Sequence, residues 1–172
     1  MNPRSMASLA AQARMPTPLG PVTLAATARG LAGLWFDGQK YHPGPLAAPV
    51  DPGHPHIAQA MDELGRYFAG ASASAFTTRL DPQGTPFQQE VWRALLRIAS
   101  GSTRTYGELA AGLQVPGAAR AVGAAVGRNP ISILVPCHRV LGSGGSLTGY
   151  AGGLHRKQAL LGLEARCAGV LQ

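Results

Sequence analysis

Cysteine is nearly missing from this chain: 172 residues hold two, Cys137 and Cys167. A disulfide scaffold is therefore excluded as the source of the fold, and an apolar share of 45% is enough for a core without one. There is no C-x-x-C and no Cys/His cluster that offers four ligands, which excludes a structural zinc, and no metal is expected. Long apolar runs are absent too. None approaches 18 residues, so nothing reads as a membrane-spanning helix. Met1 to Pro16 carries Arg4 and Arg14 and no acid, but lacks the continuous apolar core of a secretion signal, and a loose arm is expected over residues 1–16. Acids are the third scarcity. Eight Asp and Glu stand against 15 Lys and Arg, giving a net charge of +7 and a pI near 10.3. By itself this balance fits either attraction to a polyanion or an ordinary solvated basic surface. Its distribution is uneven: residues 1–83 carry six basic and five acidic side chains, residues 84–172 nine and three. A phosphate backbone would meet the second half first.

What is present divides the chain at Asp81-Pro82-Gln83-Gly84, a turn-rich linker that sets an N-terminal unit, residues 1–83, apart from a C-terminal unit, residues 84–172. In the first, residues 17–27 and Leu31–Phe36 read as two strands joined by a turn at Ala28-Arg29-Gly30. Residues 41–55 hold five prolines and two glycines and predict no regular structure. Ile57, Ala60, Met61, Leu64 and Phe68 recur at helical spacing and Gly70 sits where a terminating glycine belongs, so a helix should cover the hairpin. Residues 76–80 suggest a further strand. Asp62 and Glu63 are adjacent on the helix, face different directions, and read as a solvated face.

The second unit opens with Thr85-Pro86-Phe87-Gln88, a capping box with proline at the first helical position. The helix behind it shows Phe87, Val91, Leu95 and Ile98 on one face, widened by Trp92 and Leu96, and should run to about Ser100. Residues 105–113 and 118–126 read as two short helices around the turn 114–117, the helix-turn-helix outline. The second of them, A-A-R-A-V-G-A-A-V, offers one long polar side chain, Arg120, too few for sequence readout in a major groove. Its small residues suit close approach to a protein core or to a minor groove. A last helix is expected from Leu154 to Glu164, with residues 166–172 as a frayed tail.

The chemistry concentrates in Asn129 to Val140, N-P-I-S-I-L-V-P-C-H-R-V. Ile131–Val135 has the β-branched composition of a short buried strand that Pro136 ends, leaving Cys137 at its exit. A thiol followed by His138 and Arg139 lies in an electropositive setting that would lower its pKa and make it a candidate nucleophile. Alternating side-chain directions mean that His138 need not touch the sulfur and could act through a water. An inert buried cysteine beside a surface histidine is the competing reading. Gly142–Gly145 makes a turn, and Thr148–Gly153 sets three glycines around Tyr150 and Ala151, where backbone can approach a ligand closely.

Asn129-Pro130, then Pro136-Cys137-His138-Arg139-Val140, then Gly149-Tyr150 with Gly152-Gly153-Leu154 resembles the active-site signature of the O6-alkylguanine-DNA alkyltransferases. The likeness runs from about Thr85 to Glu164, with a weaker match from Thr17 to Lys40. It implies an α+β protein: a small N-terminal hairpin-plus-helix domain, then a mainly helical domain with a winged helix-turn-helix and the reactive cysteine. The reaction implied is a single, irreversible transfer of an alkyl group from guanine O6 in duplex DNA to Cys137, with the nucleotide flipped out from the minor-groove side. His138 and Glu164 would complete a relay with Cys137 through a water. Tyr106, Val140, Tyr150 and Ala151 would form the base pocket. Arg120 would enter the duplex in place of the flipped base, on a DNA-binding face with Ala119, Gly123 and Arg128. Asn129 would be a structural hinge. The resemblance implies no cofactor, a monomer in solution with several copies able to sit side by side on DNA, and a cytoplasmic, nucleoid-associated place in a bacterium. Some members hold a zinc in the N-terminal part, for which this chain lacks the cysteines. Two other readings compete: a lesion sensor that binds without transfer, and a Cys-His hydrolase.

Overall fold

The computed structural model describes residues 9–71 and 76–169. The N-terminal half is built on an antiparallel sheet of β1 (Ala11–Met15), β2 (Val22–Ala26) and β3 (Leu31–Phe36), paired in that order. The expected loose arm is thus corrected from Ala11 onward, because Ala11 and Ala13 point into the core beside Val22 and Leu24. The first predicted strand is shorter than expected: Thr17 to Gly20 form a turn closed by Gly20 N–H on Thr17 O at 3.0 Å. Gly30 is required at the hairpin, since a Cβ there would stand 2.7 Å from the Arg79 carbonyl oxygen. The proline-rich segment is irregular, as its composition implies, yet it is pinned along β1 by Gln12 N–H to Pro49 O and Asp51 N–H to Gln12 O, both 2.9 Å. There it covers Trp35 on the outer face of the sheet with Leu46 and Ala48.

Helix α1 (Pro55–Phe68) lies on the inner face through Ile57, Ala60, Leu64 and Tyr67. Glu63 is corrected from solvated to buried, 3% exposed. Its carboxylate accepts bonds from the backbone N–H and hydroxyl groups of both Thr77 and Thr78, at 2.7 to 3.2 Å. Adjacent position in sequence does not show this, because the donors come from a segment 14 and 15 residues on. Asp62 does face solvent, paired with Arg66 one turn later. The strand suggested over residues 76–80 reduces, among the described residues, to one bridge between Leu80 and Leu31.

In the second half, α2 (Pro86–Leu95) begins at Thr85 with both halves of the capping box formed. It ends earlier than Ser100, in tight turns that close Arg97 on Ala94 and Ile98 on Leu95. Val91, Trp92, Leu95 and Ile98 are buried, whereas Phe87 and Leu96, expected in the stripe, are exposed. Next come β4 (Arg104–Thr105), α3 (Tyr106–Gly112), capped by Thr105 and Glu108, and α4 (Ala119–Gly127). The indole of Trp92 donates to Ala125 O at 2.9 Å and ties α2 to α4. β5 (Val140–Leu141) pairs parallel with β4, and α5 (Leu154–Cys167) extends past Glu164, so Arg166 and Cys167 are helical rather than frayed.

The two halves share one hydrophobic core, and the free edge of β3 joins them. Leu34 donates its N–H to Pro130 O and accepts one from Ser132, each at 2.9 Å. The strand expected over Ile131–Val135 is corrected to this single contact. The chain then turns sharply at Ile133, whose φ of 71° is a left-handed conformation that a β-branched residue adopts only when its surroundings impose it. Burial of Ile131, Ile133 and Val135, each 1% exposed or less, supplies that imposition. Thr85→Ala removes the cap of α2 and should lower the unfolding free energy by about 1 kcal/mol. Denaturant titration would measure it, with thiol reactivity unchanged because the cap lies outside the active stretch.

Candidate active site

Cys137, His138 and Arg139 form one turn of 3-10 helix, not the exit of a strand, and all three are buried. The Cys137 sulfur accepts a bond from Asn129 Nδ2 at 3.1 Å. The same amide donates to Val135 O at 2.9 Å and Ile131 O at 3.2 Å, while Asn129 Oδ1 accepts from Ile131 N–H at 3.0 Å. Asn129 thus closes the loop, as a hinge would, and also touches the thiol.

The expectation of a lowered thiol pKa is corrected. Burial pushes Cys137 up, and the Asn129 bond, the Lys157 charge and nearby backbone N–H groups offset only part of that. The neighbours that made the sequence look electropositive do not act on the sulfur as charges. His138 is held below its ordinary value by burial, against the pull of Glu164, and is neutral near pH 7. Arg139 is directed away, toward Glu164 and the Ile98 carbonyl. The resting thiol is protonated, and a base is needed to activate it.

His138 is seated on Glu164. His138 Nε2 donates to Glu164 Oε1 at 2.7 Å, with the two side chains 0% and 1% exposed. Arg139 grips both carboxylate oxygens, Nη2 on Oε1 and Nε on Oε2, each at 2.8 Å. Tyr67 adds its hydroxyl to Oε1 at 3.0 Å and Gly101 its N–H to Oε2 at 3.4 Å. Burial raises the Glu164 pKa, but the bonds from His138 and Arg139 outweigh it and hold the carboxyl at about 2. An ionised Glu164 assigns the proton of neutral His138 to Nε2, which leaves the lone pair on Nδ1, an atom with no protein partner.

Four of the other predicted residues gather around a cavity of about 530 Å³. Tyr106, Gly123, Tyr150 and Ala151 line it, together with Gly149 and Leu154. Burial raises the pKa of both phenols, and the nearby Cys137 raises each further. Tyr106 starts α3, and its hydroxyl donates to Gly149 O at 3.3 Å. A Cβ on Gly123 would lie 3.5 Å from the Tyr106 ring, an ordinary contact distance, so that ring stands directly against α4. Val140 lies behind the cavity, buried, its carbonyl accepting from Lys157. Arg120 is exposed on α4; Ala119, one residue before it, is half-buried and does not line the cavity. The Arg128 guanidinium stacks at 4.0 Å on the ring of Tyr41, which lies on the cavity rim.

Four contributors were not legible in sequence. Lys157 is fully buried, its ammonium bound to the carbonyls of Val140, Thr148 and Gly149, where it fixes the cavity loop and sets a positive charge near the sulfur. Tyr67, Lys40 and Tyr41 come from the N-terminal half, the first onto Glu164 and the other two onto the cavity rim. A lone lysine at the start of an amphipathic helix gives no local signal, and neither does a tyrosine on a core-facing stripe.

Residues 12–82 match the family profile described as 6-O-methylguanine DNA methyltransferase, ribonuclease-like domain, and residues 86–166 the one described as 6-O-methylguanine DNA methyltransferase, DNA binding domain. The methylated-DNA–protein-cysteine methyltransferase of Mycobacterium tuberculosis is 52% identical over 148 residues, 86% of this chain and 88% of that protein. The Methanosarcina acetivorans protein of the same name is 47% identical over 152 residues, 88% and 96% of the two chains. The crystal structure of M. tuberculosis OGT in complex with DNA superposes with a TM-score of 0.83 at 47% identity, covering 91% of this chain and 94% of that one. A half-sheet domain joined to a helical domain that buries a thiol beside a His-Glu pair defines a class of DNA-modifying transferases. The chain belongs to the methylated-DNA–protein-cysteine methyltransferase family.

The charged cluster makes acid stability testable. The folded pKa of Glu164, about 2, lies below its ordinary 4.5. The stability it contributes is therefore fully present above about 4.5 and lost as pH falls toward about 2. Glu164→Gln should cost about 3 kcal/mol at pH 7, as expected when one partner of a buried pair is removed. In urea titrations from pH 7 to pH 2, the gap between the two proteins should close through that window.

Proposed function

We propose that this protein repairs alkylated DNA directly, taking the alkyl group of an O6-alkylguanine onto its own Cys137 in one irreversible step. The observation that carries the reading is the convergence of a buried thiol, a neutral histidine held by an ionised glutamate, and a cavity edged by Tyr106 and Tyr150. In the step, the Cys137 proton passes through a water to His138 Nδ1, and the imidazolium is stabilised by Glu164. The thiolate attacks the alkyl carbon, the carbon–sulfur bond forms as the carbon–oxygen bond breaks, and the electron pair leaves with the guanine. The Asn129 amide and the Lys157 ammonium stabilise the sulfur anion. The Tyr106 hydroxyl donates to the departing base. A thioether does not hydrolyse, so one chain repairs one lesion.

The target carbon is inside the base stack, and the nucleotide must be extruded at a cost of a few kcal/mol. Helices α3 and α4 act as the helix-turn-helix, with the small residues of α4 lying close to the minor groove and Arg120 occupying the gap left in the duplex. Basic charge on this half attracts the phosphate backbone. Among the described residues no helix is long and apolar enough to cross a membrane. We place the protein in the cytoplasm with the genome it would repair.

The deciding experiment is intact mass after incubation with duplex DNA carrying one O6-methylguanine. A gain of about 14 Da, once per chain and absent in Cys137→Ser, is the expected result for a thiolate nucleophile. DNA binding without a gain would return the protein to the sensor reading, and repeated release of product to the hydrolase reading. Tyr106→Phe should slow single-turnover transfer by roughly a hundredfold, the scale for loss of one donor to a leaving oxyanion.

A further inference from the structure

Glu164 receives one donor from the far half of the chain. Tyr67 lies in the last turn of α1, 2% exposed, and its hydroxyl meets Glu164 Oε1 at 3.0 Å, the same oxygen that holds His138 Nε2. The rings of Phe68 and Phe76 pack against the Tyr67 ring, with centroids 5.3 and 5.4 Å away. Placing the carboxylate does not require it, because Arg139 already holds both oxygens. What Tyr67 adds is competition: a neutral donor that draws charge from the oxygen on which His138 depends.

We propose that Tyr67 is a positioning residue of alkyl transfer, whose hydroxyl sets how strongly Glu164 supports proton uptake by His138, and that the N-terminal half thereby takes part in activating the thiol. This rests on the reading of Cys137, His138 and Glu164 as a proton relay. His138 must be neutral at rest to accept the thiol proton. An undivided Glu164 charge would protonate it at higher pH and block that step. The groups facing the pair are Cys137 and Arg139 on its own turn, Lys157 on α5, Tyr150 on the cavity loop and Tyr67 on α1. Of these, Tyr67 alone touches the pair through a hydroxyl that can be deleted without changing charge or the thiol.

The test is the single-turnover rate of methyl transfer to Cys137 between pH 5 and pH 9, with DNA affinity measured in parallel. Activity is lost as pH falls through the His138 pKa. Tyr67→Phe leaves Glu164 pulling harder on His138, so the midpoint of that acid limb should rise by roughly half to one pH unit. Rates below the limb should then fall about three- to tenfold, with the plateau above it within about twofold and DNA affinity unchanged. Site-specific 3-fluorotyrosine at position 67, a nearly isosteric and stronger donor, should move the midpoint the opposite way, and it keeps the assignment testable if the phenylalanine variant fails to fold. An unmoved midpoint, or a uniform fall at every pH, overturns the assignment while the transfer itself stands. Absence of methyl uptake by the unsubstituted protein overturns both.

Discussion

A buried carboxylate without donors would take a proton or leave the core, and the site of this protein depends on Glu164 doing neither. Side chains from α1 and from the Cys137–Arg139 turn, with the Gly101 backbone amide after α2, converge on its two oxygens. Arg139 supplies the countercharge, so the cluster stays ionised in a core where an isolated carboxylate would be far too costly. Because Glu164 keeps its charge, His138 keeps one tautomer, and a neutral imidazole stands next in the chain to a thiol that burial keeps protonated.

The second constraint is mechanical. Thr105 and Glu108 cap the short helix that carries Tyr106, but the reactive 3-10 turn has no side-chain cap of its own. Its entry is fixed by the two backbone bonds at Leu34 on the edge of β3, its interior by the Asn129 amide, and its exit by the parallel pairing of β5 with β4. Ile133 holds an unfavourable left-handed conformation between the first two. The N-terminal half is therefore more than a support. It provides the edge on which the turn is built, a donor to Glu164, and Lys40 and Tyr41 on the cavity rim.

Much of this was readable locally. The capping box at Thr85, the amphipathic stripe of α1 and the hairpin around Gly30 depend on residues within a few positions of one another, and all are formed. The reading failed where a distant partner decides. Ile131–Val135 has strand composition, but only one residue of it finds an edge with which to pair. Glu63 reads as a surface acid until Thr77 and Thr78 are brought to it. The electropositive look of Cys-His-Arg dissolves once Arg139 turns to Glu164, 25 residues away in the chain.

The sequence by itself determined the class of protein and its candidate nucleophile, because Pro136-Cys137-His138-Arg139 with its flanking Asn129 and Gly149-Tyr150 is a compact pattern whose chemistry is carried by residue type and order. Only the tertiary structure decided protonation: which groups are buried, that the thiol rests protonated, that His138 is neutral, and that Tyr67 and Lys157 belong to the site. The reason is physical. Desolvation and hydrogen bonding act over a few ångströms in space, and a linear pattern does not hold the distances between residues 67, 138, 157 and 164.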